Sequence, residues 1–192
     1  MRISGGRARG IPLATPKGDL TRPATDGMRQ SVFSSLAAVV PEAHFLDLFA
    51  GSGAYGLEAL SRGATGGVFV EKNPKAAACV KQNIVAVCKS LGRDTAGLTV
   101  LQSDALAVPL GGGPVPDLVF IDPPYEIIPE IAPGLFAKLA EVLAPKPDAL
   151  VVFELPGELE LAPSGWTCLK RLGSGAARQP TVAFFRASRA AP

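Results

Sequence analysis

Histidine is nearly missing from this chain, with His44 alone among 192 residues. A histidine base, or a metal held by several histidines, therefore has almost nothing to be built from, and no metal is expected. Cysteine is scarce too: Cys79, Cys88 and Cys168 are odd in number and lack the paired spacings of zinc sites or redox motifs. They read as buried or incidental thiols. No apolar run approaches the roughly 18 residues of a membrane span. The opening Met1-Arg2-Ile3-Ser4-Gly5-Gly6 has no apolar core of the signal-peptide kind. A cytoplasmic location without membrane partners is the expectation.

What is present suits a packed globule, since 47% of residues are apolar and fall in short bursts. The length suits one domain with room for a small appendage. The net charge of +2 is unevenly spread. Residues 1–30 carry Arg2, Arg7, Arg9, Lys17, Arg22 and Arg29 against Asp19 and Asp26, giving +4. Residues 160–192 carry Lys170, Arg171, Arg178, Arg186 and Arg189 against Glu160, again +4, which leaves the middle at −6. If the two ends share a face, they form a phosphate-attracting rim around an acidic pocket. Charge alone does not separate that arrangement from ordinary solvated surface.

From Phe45 onward, short β-rich runs alternate with helical stretches, the pattern of a parallel sheet with crossover helices. Strands are expected at Phe45–Phe49, Gly67–Glu71, Leu98–Gln102, Leu118–Ile121 and Leu150–Glu154, all short and apolar as buried parallel strands are. Helices are expected at Tyr55–Arg62 and Pro129–Leu143, and at Pro74–Lys89, where Asn73 is the N-cap and Pro74 the first helical residue. Trp166–Ala187 reads as two further strands closing the sheet as a hairpin. The N-terminal stretch, punctuated by Gly5-Gly6 and Gly10-Ile11-Pro12, reads as a small hairpin. A helix follows near Asp26–Val39, with Met28, Val32, Phe33, Leu36 and Val40 on one face. The expected division is 1–40 as hairpin and helix and 41–192 as the main domain.

The densest signal is Phe45-Leu46-Asp47-Leu48-Phe49-Ala50-Gly51-Ser52-Gly53-Ala54-Tyr55-Gly56, a strand entering Gly-x-Gly-x-x-Gly and then a helix. Such glycines let the backbone approach a ligand, but dinucleotide enzymes share the pattern. Three acids narrow the choice. Glu71, twenty positions after Gly51, can accept both hydroxyl hydrogens of a ribose, and Asp104 can accept from an adenine amino group. Asp47, inside the strand, suits a cationic ligand end and would repel a pyrophosphate. Together they favour S-adenosylmethionine (SAM) over NAD.

Asp122-Pro123-Pro124-Tyr125 follows the fourth strand, and ligands of open α/β sheets sit at the carboxyl ends of strands. Adjacent prolines stiffen the backbone and remove its N–H donors, leaving the Pro123 carbonyl and the Asp122 carboxylate as a pair of acceptors. They match the two N–H donors of an amino group. An aromatic-ring amine is a poor nucleophile because its lone pair is delocalised, and two acceptors drawing on its hydrogens favour a tetrahedral, reactive nitrogen. Tyr125 would stack on a flipped base, a contact worth about 1–3 kcal/mol.

These two motifs resemble those of amino-group methyltransferases acting on nucleic acid bases. The resemblance is closer to the bacterial 16S ribosomal RNA guanine-N2 methyltransferases of the RsmD type. It extends through Arg2-Ile3-Ser4-Gly5-Gly6-Arg7-Ala8-Arg9-Gly10, Arg22-Pro23-Ala24-Thr25-Asp26 and Leu57-Glu58-Ala59-Leu60-Ser61-Arg62-Gly63-Ala64. It implies a Rossmann-like class I SAM methyltransferase: a mostly parallel seven-stranded sheet with helices on both faces, plus the N-terminal hairpin and helix. It implies cofactor contacts at Asp47, Phe49, Gly51, Gly53, Glu71, Lys72, Asp104 and Ala105, and amine contacts at Asp122, Pro123 and Tyr125. Arg2, Arg7, Arg9, Arg22 and Arg29 would hold ribosomal RNA, and the family suggests a small-subunit assembly particle as substrate; a monomer is the expectation for the enzyme itself. Two departures are visible. Gly27-Met28-Arg29-Gln30 replaces a stretch that relatives carry more charged and ending in Glu, and Tyr125 stands where Phe also occurs, a change expected to leave stacking intact.

Amino methylation of DNA, or of a protein glutamine, is the alternative within enzymes; the latter usually goes with Asn at the position of Asp122. A non-catalytic nucleic-acid-binding module would be expected to have lost the acceptors of this tetrad.

Overall fold

The computed structural model describes residues 1–16, 26–110 and 113–188. Lys17, Arg22 and Arg189, with the Arg22–Thr25 part of the N-terminal motif, lie outside these residues.

Strands β1 (His44–Leu48), β2 (Gly66–Val70), β3 (Leu98–Leu101), β4 (Leu118–Ile121), β5 (Leu150–Pro156), β6 (Trp166–Leu172) and β7 (Pro180–Ala187) form one sheet in the order β3-β2-β1-β4-β5-β7-β6. Pairings from β3 to β5 are parallel, and β7 runs antiparallel to both β5 and β6. The expected Rossmann-like sheet with its closing hairpin is therefore present. Chain order reverses between β1 and β4, and that switch point is where an open α/β sheet leaves a crevice for ligand.

Alternation along the strands divides the core in two. Phe45, Phe69, Phe120 and Val152 point to one face, packed beneath α1 (Asp26–Ser35), α2 (Ala54–Ser61) and α3 (Pro74–Leu91). Leu46, Val70, Ile121 and Phe153 point to the other face, beneath α4 (Ile128–Val142). Each helix takes its place from its apolar period. In α4, Ile128, Ile131, Ala132, Leu135, Phe136 and Leu139 are buried at the three- and four-residue spacing of one face. In α3, the Asn73 side chain caps the first turn by accepting the N–H groups of Lys75 and Ala76, and Gly92 ends the helix at φ 67°.

The helix expected over Asp26–Val39 closes at Ser35 and continues as turns. Ser31 and Ser35 hydroxyls donate back to the carbonyls four residues earlier, at 3.1 Å each, which competes with regular helix bonding. The N-terminal hairpin forms as expected: Ile3 N–H donates to the Ile11 carbonyl and Gly10 N–H to that of Ile3, both at 2.9 Å. Ile3, Ala8, Leu13, Val32, Phe33 and Leu36 share one apolar cluster with α2, α3 and the sheet. The described parts of 1–40, the hairpin and α1, are thus built into the main core.

A charged seam joins the hairpin to α2. Glu58 is fully buried on α2 and accepts from the Ser4 N–H (2.7 Å), the Ser4 hydroxyl (2.9 Å) and Arg62 (2.9 Å), with Arg29 Nε 3.9 Å away. Arg29 itself is 1% exposed and donates to the Arg2 carbonyl at 2.7 Å and to Asp26 at 2.6 Å. The expectation that Arg29 holds RNA is not met, because a side chain only 1% exposed cannot meet a phosphate. Its charge faces inward.

Candidate functional site

Register and side-chain parity assemble the site. Leu48 of β1 lies level with Val70 of β2 and Ile121 of β4, and Ile121 with Phe153 of β5. The residues one step beyond are Glu71, Asp122 and Glu154, so three acids lie at one level, the first two just past β2 and β4 and the third within β5. Asp47 lies two levels back, beside Phe69 and Phe120. By alternation all four carboxylates leave the sheet on the α1–α2 side. The glycine loop follows β1 and the Pro-Pro-Tyr segment follows β4, and these are neighbouring strands.

Phe49 follows β1 at φ 60°, an uncommon conformation for a non-glycine residue that turns the chain out of the strand. Gly51 follows at φ +55°, and a Cβ there would meet only the Phe49 carbonyl oxygen, at 4.0 Å. The loop is open at that point. Gly53 differs: a Cβ would lie 3.2 Å from Phe69 and 3.3 Å from Leu57 and Val80, so its bareness serves packing. Asn83 of α3 fixes the loop from below. It donates to the Ser52 and Ala14 carbonyls at 2.9 Å each and accepts the Ala14 N–H at 2.8 Å.

The acids first shape the loop. Asp47, 2% exposed, accepts the Gly56 N–H at 2.9 Å and so anchors the first turn of α2. Burial pushes its carboxyl up to about 8, partly offset by the Gly56 N–H and reinforced by the nearby Glu71 charge. Glu71 accepts the Gly51 N–H at 2.8 Å with one oxygen and the Asn73 N–H at 2.7 Å with the other. Each carboxylate oxygen has two lone pairs, so both retain acceptor capacity. Asp104 accepts Lys72 Nζ and the Leu106 N–H, both at 2.9 Å, which hold its carboxyl below the usual range. Exposed Lys72 is thus engaged with Asp104. Ala105 packs its side chain beneath α4, and Lys138 Nζ caps the carbonyls of Ala105, Leu106 and Val108.

On the other side of the crevice Pro123 is buried, while Asp122 and Tyr125 are half-buried. Asp122 has its carboxyl raised well above the ordinary value by burial, then by the neighbouring charges of Glu154 and Asp47, with Arg29 opposing. Glu154, 2% exposed, accepts the Tyr55 hydroxyl at 2.9 Å and the Tyr125 hydroxyl at 3.4 Å. Sequence reasoning missed Tyr55, Glu58, Asn83 and Glu154. A signal for Glu154 was available, since it is an acid placed at the end of an apolar run, as Glu71 and Asp122 are.

Of the arginines assigned to RNA, Arg2, Arg7 and Arg9 are exposed on the hairpin. Arg2 lies 3.7 Å from Asp26. From the C-terminal basic stretch, Lys170 of β6 donates to the Ser35 hydroxyl of α1 at 2.9 Å. Arg171 is engaged elsewhere, by the Gly157 and Leu159 carbonyls.

Comparison with known proteins places this geometry. The profile of the family described as "Conserved hypothetical protein 95" matches residues 1–183. The chain is similar to "Ribosomal RNA small subunit methyltransferase D" of Escherichia coli K12, at 40% identity over 126 residues that cover 65% of this chain. Those residues span 60% of the length of that relative. The protein of the same description from Haemophilus influenzae is 33% identical over 177 residues, covering 91% of this chain and 89% of its own. A solved structure from Escherichia coli, that of yhhF, superposes with a TM-score of 0.74 at 31% identity, over 98% of both chains. A match that runs from the hairpin through the closing strands shows that the chain belongs to the Conserved hypothetical protein 95 family, the RsmD-type family that its motifs resemble.

Proposed function

We propose that this protein transfers a methyl group from SAM to the exocyclic N2 of a guanine in small-subunit ribosomal RNA. The observation that carries the reading is the row of carboxylates on one side of the sheet, Glu71 and Asp47 flanking the glycine loop and Asp122 beside Pro123 on the adjoining strand. The relatives described as ribosomal RNA small subunit methyltransferases support the polymer. The acceptor pair supports the atom.

The residues present fit SAM. The backbone is bare at Gly51, Glu71 and Asp104 keep acceptor capacity for a ribose and an adenine amine, and Asp47 is a buried carboxylate suited to a cation. When bound, SAM supplies an electrophilic methyl on a sulfonium. The chain's part is to hold and orient. Asp122 and the Pro123 carbonyl accept the two hydrogens of the base amine and turn its lone pair toward the donor, and Tyr125 presents a ring for the flipped base. As nitrogen gains the methyl it becomes cationic. Asp122 lies beside the charge that develops, stabilises it and can take the released proton.

Binding of SAM should be linked to a proton. With its pKa near 8, Asp47 is protonated at neutral pH in the free protein, and a neighbouring cation favours the ionised form. Affinity should therefore rise with pH up to about 8 and level off above it. Calorimetry at neutral pH in buffers of different ionisation enthalpy should show proton release that Asp47→Asn loses. Equal release by both proteins contradicts the assignment.

Arg7 and Arg9 on the hairpin supply phosphate contacts in this reading, so RNA binding should weaken steeply between 50 and 200 mM salt, the slope of log K falling by about 1 for each arginine removed. A flat salt response removes them from the interface. The activity itself is tested with tritiated SAM offered to 16S RNA, small subunits and DNA side by side, followed by nucleoside mass spectrometry. Label in N2-methylguanine from the ribosomal samples is the expected result. Label only in DNA, or only in protein glutamine, overturns it.

A further inference from the structure

Glu154 is unused by the acceptor chemistry, yet it is a carboxylate 2% exposed within β5, beside the acceptor strand β4. Burial raises its carboxyl, and the Tyr55 and Tyr125 hydroxyls and the Arg29 charge pull it back toward ionisation. Its two oxygens divide their work: one accepts Tyr55, which belongs to the helix that follows the glycine loop, and the other accepts Tyr125, which belongs to the acceptor tetrad. The Tyr55 ring is stacked on Phe120 of β4 (centroids 5.4 Å apart, planes at 18°), so this side chain is fixed from two directions. Glu154 also stands level with Asp122 on the neighbouring strand.

We propose that Glu154 is a positioning residue for methyl transfer: it clamps the Tyr125 hydroxyl to the cofactor side of the crevice through Tyr55, and it keeps a negative charge behind Asp122. This rests on the reading of Asp122 and Tyr125 given above. It gives the Tyr125 hydroxyl a task beyond stacking, because a phenylalanine ring there could slide while a tyrosine is tethered. The groups facing the Asp122–Glu154 pair are Asp47 from β1, Tyr55 from α2, Tyr125 after β4 and Arg29 from α1, with apolar Val182 opposite Glu154 on β7. Arg29 offsets part of the charge. The remainder strengthens Asp122 as an acceptor.

Glu154→Gln keeps the shape and removes the charge. Its kcat should fall roughly ten- to a hundredfold, with SAM affinity by calorimetry within threefold of wild type. The acid limb of the kcat profile should move to lower pH, since loss of a neighbouring anion eases ionisation of Asp122. Tyr125→Phe should lower kcat without moving that limb, and the double variant should lose less than the product of the two single losses. The Tyr125→Phe arm needs no buried substitution and stands if Glu154→Gln fails to fold. Wild-type kcat and pH profile in Glu154→Gln, or wild-type kcat in Tyr125→Phe, overturns the clamp. Absence of transfer by the wild-type protein would instead reject the underlying function.

Discussion

Replacing Asp122 by alanine is expected to lower kcat by roughly 10²–10³-fold, the usual cost of removing one preorganised group from a developing charge. SAM affinity should remain within a few-fold, because the glycine loop, Glu71 and Asp104 are untouched. The two effects separate because Asp122 belongs to the acceptor strand β4 and the loop to β1. The loss should exceed what one hydrogen bond in water suggests. Asp122 lies where burial and the Glu154 and Asp47 charges raise its carboxyl, so in its ionised form it is a stronger acceptor than a solvated aspartate. The sign for pH follows. An acid with a raised pKa is protonated over a wider range, so wild-type kcat should climb with pH through that raised value, and the climb should vanish in Asp122→Ala. Single-turnover transfer across pH, with SAM binding measured in parallel, checks both halves. Comparable activity in the variant rejects the role.

Glu58→Ala should be the most damaging change away from the crevice, at about 3–5 kcal/mol of stability, the cost of breaking a buried ionic network by deleting one member. The substitution takes from the Ser4 N–H, the Ser4 hydroxyl and Arg62 the acceptor they share. Adjoining residues also seat the hairpin against α2, where Arg7 N–H donates to the Ser61 carbonyl at 2.8 Å and the Ser61 hydroxyl donates to that of Gly5 at 2.7 Å. Loosening this seam should expose hairpin amides before the sheet opens. Urea unfolding combined with hydrogen exchange on residues 1–13 reads both effects. A loss under 1 kcal/mol with unchanged exchange would mean that the seam is not a determinant of stability.

Sequence and structure agree where the signal is local. The apolar bursts lie within a residue or two of the observed strand ends, Asn73-Pro74 marks the start of α3, and the glycine and proline motifs fall on neighbouring strands at the switch point. What could not be read depends on partners far apart in the chain. Glu58 meets Ser4 across 54 positions, and Tyr55 meets Glu154 across 99. Arg29 illustrates the cost of reading charge without burial: in a basic segment it counts as a phosphate ligand, but helical phase sends it inward with Val32 and Phe33. The same limit applies to Tyr125, whose ring was legible and whose hydroxyl partner was not.

In the proposed mechanism Asp122 and the Pro123 carbonyl face the site of the transferred methyl. The most direct measurement is a crystal structure of this protein with S-adenosylhomocysteine and a guanosine-containing oligonucleotide bound. The guanine amine is expected within hydrogen-bond distance of both oxygens, its nitrogen directed at the cofactor sulfur. An Asp122 carboxylate turned outward, away from that sulfur, would contradict it.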